Sequence, residues 1–373
     1  MQNDADLAYW LRFALVPGIG PRRQLLLLQA MGSPQQALAA SFSAVVTAWG
    51  ETTQNRTLAK AWVDAAQLPH EDIVNRTRDW LGEPGHHLLC MADEAYPRRL
   101  LELPDPPLFF FAKGRLELLE AKALAIVGSR NATTGGIDNA LRFAEALSEQ
   151  GMTISSGLAA GIDAAAHVGG LSGLGSTVAF VGTGLDRVYP AANKKLAHEI
   201  AAKGLLVSEF LLGTPPVAEH FPRRNRLIAA MAQGCLVVEA AMGSGSLITA
   251  RQANELGREV FAIPGSIHSP LAKGCHHLIK QGAKLVETAA DILSDLSWDS
   301  SAVRQPVLAL ASTPELDETE RIVLKAAGHD PVDADTLSQR SGLTTDRLCA
   351  ILLGLELKGA LFALPGNRYQ RRN

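Results

Sequence analysis

The chemistry in this chain concentrates where arginines and glycines meet. His220-Phe221-Pro222-Arg223-Arg224-Asn225-Arg226 runs straight into the apolar stretch 227–232, which places three guanidinium groups within four residues at the entrance of a helix. Fixed bidentate donors beside the positive end of a helix dipole suit a phosphate. Another cation closes the run Gly128-Ser129-Arg130, and Lys194, Lys195 and Lys273-Gly274 stand near further strand ends. Gly243-Ser244-Gly245-Ser246 adds a second glycine loop, and Phe221 and Tyr189 are interleaved with the cations. A single-stranded nucleic acid needs this mixture: a neutralised backbone and stacked bases, each stack worth about 1 to 3 kcal/mol. The alternative is a solvated helix start, or arginines buried in ion pairs within the domain. Glycine-lined strand ends more numerous than turns alone require favour the binding reading.

The elements that hold these residues follow one grammar. Residues 125–127 are a buried strand turning sharply at Gly128. Ile137, Ala140, Leu141, Ala144 and Leu147 recur as one face of an amphipathic helix, which Gly151 stops. A second strand over 152–155 then exits through Gly157-Leu158-Ala159-Ala160-Gly161-Ile162-Asp163 into another helix, and right-handed crossover sets both glycine loops on one sheet edge. Strands at 177–181, 205–207, 235–238, 259–263 and 283–286 repeat the pattern. The fold class is α/β: a doubly wound parallel sheet, Rossmann-like and extended, with ligand outside the strand C-termini.

The flanks read differently. Residues 1–82 are helical, and Pro17-Gly18-Ile19-Gly20-Pro21 resembles a helix-hairpin-helix turn backed by Arg22 and Arg23. Its glycines either hold a phosphate through backbone amides or only let two helices pack closely. A helix carrying Ala59, Trp62, Val63 and Ala66 fills out this unit. The sheet domain spans 83–297, and Phe109-Phe110-Phe111 within it reads as a strand buried on both faces. A polar, proline-bearing linker covers 298–314. Residues 315–373 read as three helices and a β-hairpin, a winged helix, whose mostly apolar third helix suits partner contact or regulation better than the major groove.

Composition limits the function classes. The net charge of −3 gives no bulk basic field, so nucleic-acid binding must come from a local patch. Cys90, Cys235, Cys275 and Cys349 are scattered in apolar contexts without a CxxC, as expected of reduced thiols in a cytoplasmic protein. No secretory signal or membrane-spanning stretch is expected. Cys275-His276-His277 invites a metal reading, but neighbours on a helix point about 100° apart and no spaced partner follows. Neither metal nor cofactor is expected.

Three ligand readings meet at the sheet edge. A dinucleotide enzyme needs G-x-G-x-x-G and an acidic residue ending the second strand, whereas GSRNATTGG has other spacing and that strand ends in Ser155-Ser156-Gly157. A Walker A loop occurs nowhere. A nucleotide-processing, phosphoribohydrolase-like enzyme stays open through Glu239 beside the Gly243–Ser246 loop. The remaining reading is the single-stranded nucleic-acid binder.

Five motifs occur together and in order: VGSRxxTxxG at 127–136, SGLAxGID at 156–163, GTGLDxxYPxxN at 182–193, FPxRNRxIA at 221–229 and GSGSLxTAxxAxxxGREVFAxPG at 243–265. As a set they resemble the DNA-processing protein A family, DprA or Smf, over about residues 89–286. The resemblance implies a dimerising, non-catalytic protein that binds single-stranded DNA without sequence preference and loads the RecA recombinase during natural transformation. It assigns phosphate contacts to Gly128, Ser129 and Arg130 and to Arg223, Arg224 and Arg226, with Gly243–Ser246 and Lys273-Gly274 on the same edge. Phe221 falls at an aromatic position of the motif. Ala230 stands where relatives often have glycine.

Overall fold

The computed structural model describes residues 4–298, 316–328 and 331–371, so the expected linker lies outside the described residues apart from Trp298. Six helices come first: α1 (Asp4–Leu15), α2 (Pro21–Met31), α3 (Pro34–Leu38), α4 (Phe42–Trp49), α5 (Thr53–Ala65) and α6 (Glu71–Leu81). Pro21 and Pro34 occupy first turns, where a missing N–H costs nothing, and the side chains of Ser33, Ser41 and Thr52 cap the backbone amides of Gln36, Ala44 and Asn55. Phe13 and Trp49 pack edge-on against the fully buried Trp62, at 5.3 and 6.0 Å. At the Gly18–Gly20 turn, Gln24 turns inward and donates to the carbonyls of Phe13 and Ala14, while Arg23 is held by Asn55 and Arg22 stays exposed.

One large sheet follows, of β1 (His86–Cys90), β2 (Phe109–Gly114), β3 (Ala123–Val127), β4 (Thr153–Ser156), β5 (Thr177–Phe180), β6 (Leu205–Ser208), β7 (Gly234–Val237), β8 (Glu259–Ala262) and β9 (Lys284–Leu285). Their order is β1-β2-β6-β5-β4-β3-β7-β8-β9. From β6 to β9 every neighbour is parallel, as expected of a doubly wound sheet. The sequence did not disclose that β2 runs antiparallel to β6 and β1 antiparallel to β2. Strand order reverses between β3 and β7, and a doubly wound sheet opens a crevice at such a point.

Helices α7 (Thr134–Glu149), α8 (Ile162–Ser172), α9 (Lys194–Lys203), α10 (His220–Met231), α11 (Gly245–Glu255), α12 (Lys273–Lys280) and α13 (Ala289–Asp295) cover the sheet. Leu124 and Ile126 point into the layer with α7, α8 and α13, whereas Ala125 and Val127 point into the layer with α10, α11 and α12. The same alternation settles the three phenylalanines. Phe110 enters the α10 layer, and Phe109 and Phe111 enter a cluster continuous with Phe13, Trp49 and Trp62, which seats the N-terminal helices on the sheet.

Two local expectations are corrected. The helix expected over 227–232 begins at His220, so the arginines lie within α10 rather than before it, since Pro222 is tolerated in a first turn. On α7 the inward face includes Gly136, Ala140, Ala144 and Leu147; Ile137, in the first turn, is exposed.

The C-terminal unit holds α14 (Glu318–Ala327), β10 (Val332–Asp333), α15 (Ala334–Ser341), α16 (Thr345–Leu357), β11 (Leu361–Leu364) and β12 (Arg368–Arg371), with strand order β10-β12-β11. This is a winged helix around Val323, Leu337, Leu348, Leu352 and Leu355. Cys349 departs from its expected apolar surroundings: it is exposed on α16, in line with the exposed Leu353 and Leu357.

Phe110 is fully buried, with the Tyr96 ring centroid 5.5 Å away. Phe110→Ala should therefore lower the unfolding free energy by about 3 to 5 kcal/mol in a urea titration. A loss below about 1 kcal/mol would place the phenylalanine outside a packed two-sided layer.

Candidate nucleic-acid interface

A cleft of about 770 Å³ opens where the strand order reverses, at the C-terminal ends of β3 and β7. Its walls are the Gly128–Asn131 loop, the Met242–Ser246 loop entering α11, and Phe221, Arg224 and Asn225 on α10, with Tyr189 at the rim. The first loop is stitched in place from both sides. The Ser129 N–H donates to the Glu239 carbonyl at 2.8 Å, and its own carbonyl accepts from the Ile162 N–H at 3.2 Å. Gly128 has to be glycine, since a Cβ there would lie 2.6 Å from Ile162 and 2.9 Å from the Glu239 oxygen. With the backbone so held, Arg130 projects into solvent, its guanidinium 5.2 Å from the centroid of the Phe221 ring. The Tyr189 ring lies 5.6 Å from Phe221. A cation and two aromatic rings therefore meet at one rim.

Beneath them Arg224 is almost fully buried. One terminal nitrogen donates to the carbonyls of Gly157 and Phe180, and Nε donates to Asn225 Oδ1 at 3.1 Å. Gly157 leaves the room for this, because a Cβ would strike the guanidinium. Burial draws the Arg224 pKa down to about 10, which still leaves it charged at neutral pH. Asp163 answers it: burial pushes that carboxyl up, and the Arg224 charge and the Ala159 N–H oppose the shift.

The other arginines turn elsewhere, because successive residues on a helix point about 100° apart. Arg226 is buried against Glu209, with Nε 3.6 Å from Asp105. Arg223 bonds the same Glu209 oxygen at 3.1 Å and stands 5.5 Å from the Phe210 ring. Buried ion pairing thus describes Arg226, while Arg223 reaches the buried Glu209 from an exposed position and Arg224 borders the cleft from below. Lys194 lines a separate hollow, and Lys195 is exposed beside it on α9. Lys273 donates to the Ile267 carbonyl, Gly274 packs on the Ala240 backbone, and neither borders the cleft.

The Gly243–Ser246 loop does reach it. Ser244 caps α11 by accepting from the Ser246 N–H, so this helix N-terminus opens onto the cleft beside the first turn of α10. Glu239 faces away: its carboxylate accepts from the Thr133 N–H and hydroxyl at 2.9 and 2.6 Å, beneath Gly136. It fixes the start of α7.

Sequence reasoning missed the supports under the second glycine loop. Asn193 donates to the carbonyls of Leu158 and Ala159 at 2.9 and 3.2 Å. His167, fully buried, accepts the Leu158 N–H at Nε2, and its Nδ1 lies 2.7 Å from a Thr177 hydroxyl that donates to Ile154 O. Asn193 closes the GTGLDxxYPxxN motif, a signal that was available. His167 carried none, because its role comes from a tertiary contact with β5. Pro216 and Ala218 also line the cleft from an irregular loop with no pattern of its own.

A crevice at a strand-order reversal, with glycine loops, helix N-termini and an exposed arginine over aromatic rings, marks a Rossmann-like protein whose cleft sets a cation and a stacking face side by side. The chain belongs to the family described as DNA recombination-mediator protein A, whose model matches residues 87–297, and residues 307–367 match the DprA winged helix domain. It is 41% identical to Protein Smf of Escherichia coli strain K12 over 300 residues, 79% of each chain. Over 206 residues it is 48% identical to DNA processing protein DprA of Streptococcus pneumoniae, covering 55% of this chain and 73% of that one. The solved Streptococcus pneumoniae structure superposes with a TM-score of 0.67 at 36% identity, covering 76% of this chain and 96% of that one. A Helicobacter pylori DNA processing protein A, solved for its single-stranded DNA binding mode, gives 0.52 at 28% identity, covering 57% and 95%.

Burial, aided by the Arg224 charge, lowers the His167 pKa from 6.5 to about 3. The unfolded chain takes up that proton below about pH 6.5 and the folded one does not, so stability falls as pH drops from 6.5 towards 3. Between pH 7 and pH 5 urea titrations should show a loss of about 2 kcal/mol from this group. His167→Gln should flatten that slope, and an unchanged slope would put the proton uptake elsewhere.

Proposed function

We propose that this protein binds single-stranded DNA without sequence preference in the cleft between β3 and β7, as a non-catalytic recombination mediator. The observation that carries the reading is Arg130 held over Phe221, with Tyr189 alongside, at the mouth of a crevice lined by two helix N-termini. Phosphates meet the cation and the loop dipoles, and bases stack on the rings, a mode that every base satisfies equally. Asn225 does not read base edges, since it is engaged with Arg224 and the Gly245 carbonyl. Membership of the recombination-mediator family and the likeness to a Helicobacter pylori protein with a single-stranded DNA binding mode support the same partner. On the family resemblance, the protein acts in the cytoplasm as a homodimer, protects incoming strands and loads the RecA recombinase during natural transformation.

The phosphoribohydrolase-like alternative loses its candidate residue, because the Glu239 carboxylate is committed to Thr133 and does not line the cleft. A general base has to reach the proton it removes.

Titration of labelled single-stranded and duplex oligonucleotides at several salt concentrations tests the proposal. Single strands should bind more tightly, with a log–log salt slope of about −0.7 per phosphate neutralised. Arg130→Ala should weaken binding equally for all sequences and flatten that slope by about 0.7, and Phe221→Ala should cost about 1 to 3 kcal/mol of affinity. Arg226→Ala should instead destabilise the fold by about 3 to 5 kcal/mol, because it removes the buried partner of Glu209 and leaves that carboxylate only the exposed Arg223. Absent or salt-insensitive binding overturns the reading, and release of base or phosphate from a free nucleotide restores the enzyme.

A further inference from the structure

A second hollow, of about 530 Å³, lies where the antiparallel strands extend the sheet. Its floor is one row across three strands, since His86 on β1 registers with Lys113 on β2 and Lys113 with Leu206 on β6. Residues directly opposite on neighbouring strands share a face. The Trp80 ring stacks on His86 at 4.0 Å and 18°, which gives this floor an aromatic end. The other wall carries Arg187 and Lys194. Among the described residues Lys113 and Lys194 have no ion-pair partner. Of the acidic side chains of the lining, Asp186 is engaged and Glu83 stays largely exposed. Asp186 accepts from the Gly213 N–H at 2.8 Å and lies 3.9 Å from Arg187, and Glu83 lies 3.8 Å from His86.

This hollow adjoins the first cleft. Tyr189 lines the cleft, and its chain neighbour Val188 lines the hollow, one Cα step of about 3.8 Å away. The 187–191 segment is therefore a ridge shared by both, with an aromatic ring on one slope and cations on the other. Both depressions pair cations with an aromatic ring.

We propose that the hollow is a second nucleotide-binding segment for the same single strand, which leaves the β3–β7 cleft, crosses the Tyr189 ridge and places a base by Trp80 and phosphates by Lys113, Arg187 and Lys194. This rests on the cleft being a single-stranded DNA site. The DNA path then passes from the strand ends onto the sheet face at its antiparallel extension, and the binding footprint exceeds what one crevice accommodates.

The test is a length series of oligothymidylates titrated against wild type and a Lys113→Ala/Arg187→Ala double variant, both side chains lying outside the first cleft. Wild-type affinity should rise with length to a first plateau and then climb again, by about tenfold, once the strand spans both depressions. The variant should match wild type on short strands, lose the second rise, and show a salt slope on long strands flatter by about 1.4, two phosphates' worth. Ultraviolet cross-linking of long but not short strands to the peptide bearing Trp80 should accompany it. A single plateau, or a variant that follows wild type at every length, overturns the second segment and leaves the first site standing. Absence of binding at all lengths overturns both.

Discussion

A full positive charge is buried under the strand ends of this protein, and the geometry of the site depends on how it is accommodated. The Arg224 guanidinium ties the Gly157 carbonyl, just past β4, to the Phe180 carbonyl at the end of β5, so α10 is fastened across two neighbouring parallel strands. Removing a cation from water is costly unless its donors are met and its charge is answered. The carbonyls meet the donors, and Asp163 at the start of α8 answers the charge. That pairing explains why SGLAxGID and FPxRNRxIA occur in one chain: the first presents a bare backbone and a carboxylate, the second the arginine that fills them.

With Arg224 compensated from within, the outward electrostatics fall to Arg130 and the helix N-termini. A net charge of −3 is no obstacle, because the salt-screened field of the whole molecule matters less at contact than groups within a Debye length of about 10 Å. The Glu209–Arg226 pair has a different task. It buries opposite charges on the far side of α10, with Arg223 sharing the carboxylate, and fixes the rotation of that helix. Phe221 then faces Gly182 and the cleft, and His220 stacks on Phe210 at 4.2 Å. An aromatic platform is useful only if its plane is held, and these buried contacts hold it.

How much was legible in the sequence follows from what each feature depends on. Local patterns carried the parallel strands, the glycine exits, the Pro21 helix start and the winged helix, because capping, periodicity and turn chemistry are short-range. The α/β sheet and the family were both readable on that basis. The direction of β1 and β2 was not, since buried strands on either kind of ladder look equally apolar. The fate of the arginines was not legible either. Spacing showed three of them together but could not show that α10 starts at His220, which sends Arg223 and Arg226 to Glu209 and leaves Arg224 beneath the cleft. Glu239 misled for a related reason: beside a glycine loop it resembles a catalytic carboxylate, while in space it caps α7 through Thr133. Lys273 was drawn to the rim by sequence proximity to a strand end, and its amine instead closes its own loop at Ile267.

The antiparallel pair that escaped the sequence reading also changes what the sheet can hold. A doubly wound sheet places its ligand at one reversal of strand order, which suits a compact nucleotide. Here β2 extends the sheet beyond β6, with Lys113 in register with Leu206 and with His86 of β1. Those side chains form a floor beyond the loop that carries Tyr189, and Trp80 from α6 closes its end. The N-terminal helices, seated on the sheet through Phe109 and Phe111, bring an aromatic ring to a part of the sheet that the Rossmann-like core leaves bare. A polymer differs from a mononucleotide in needing a path, and the added strands supply the surface on which one can run.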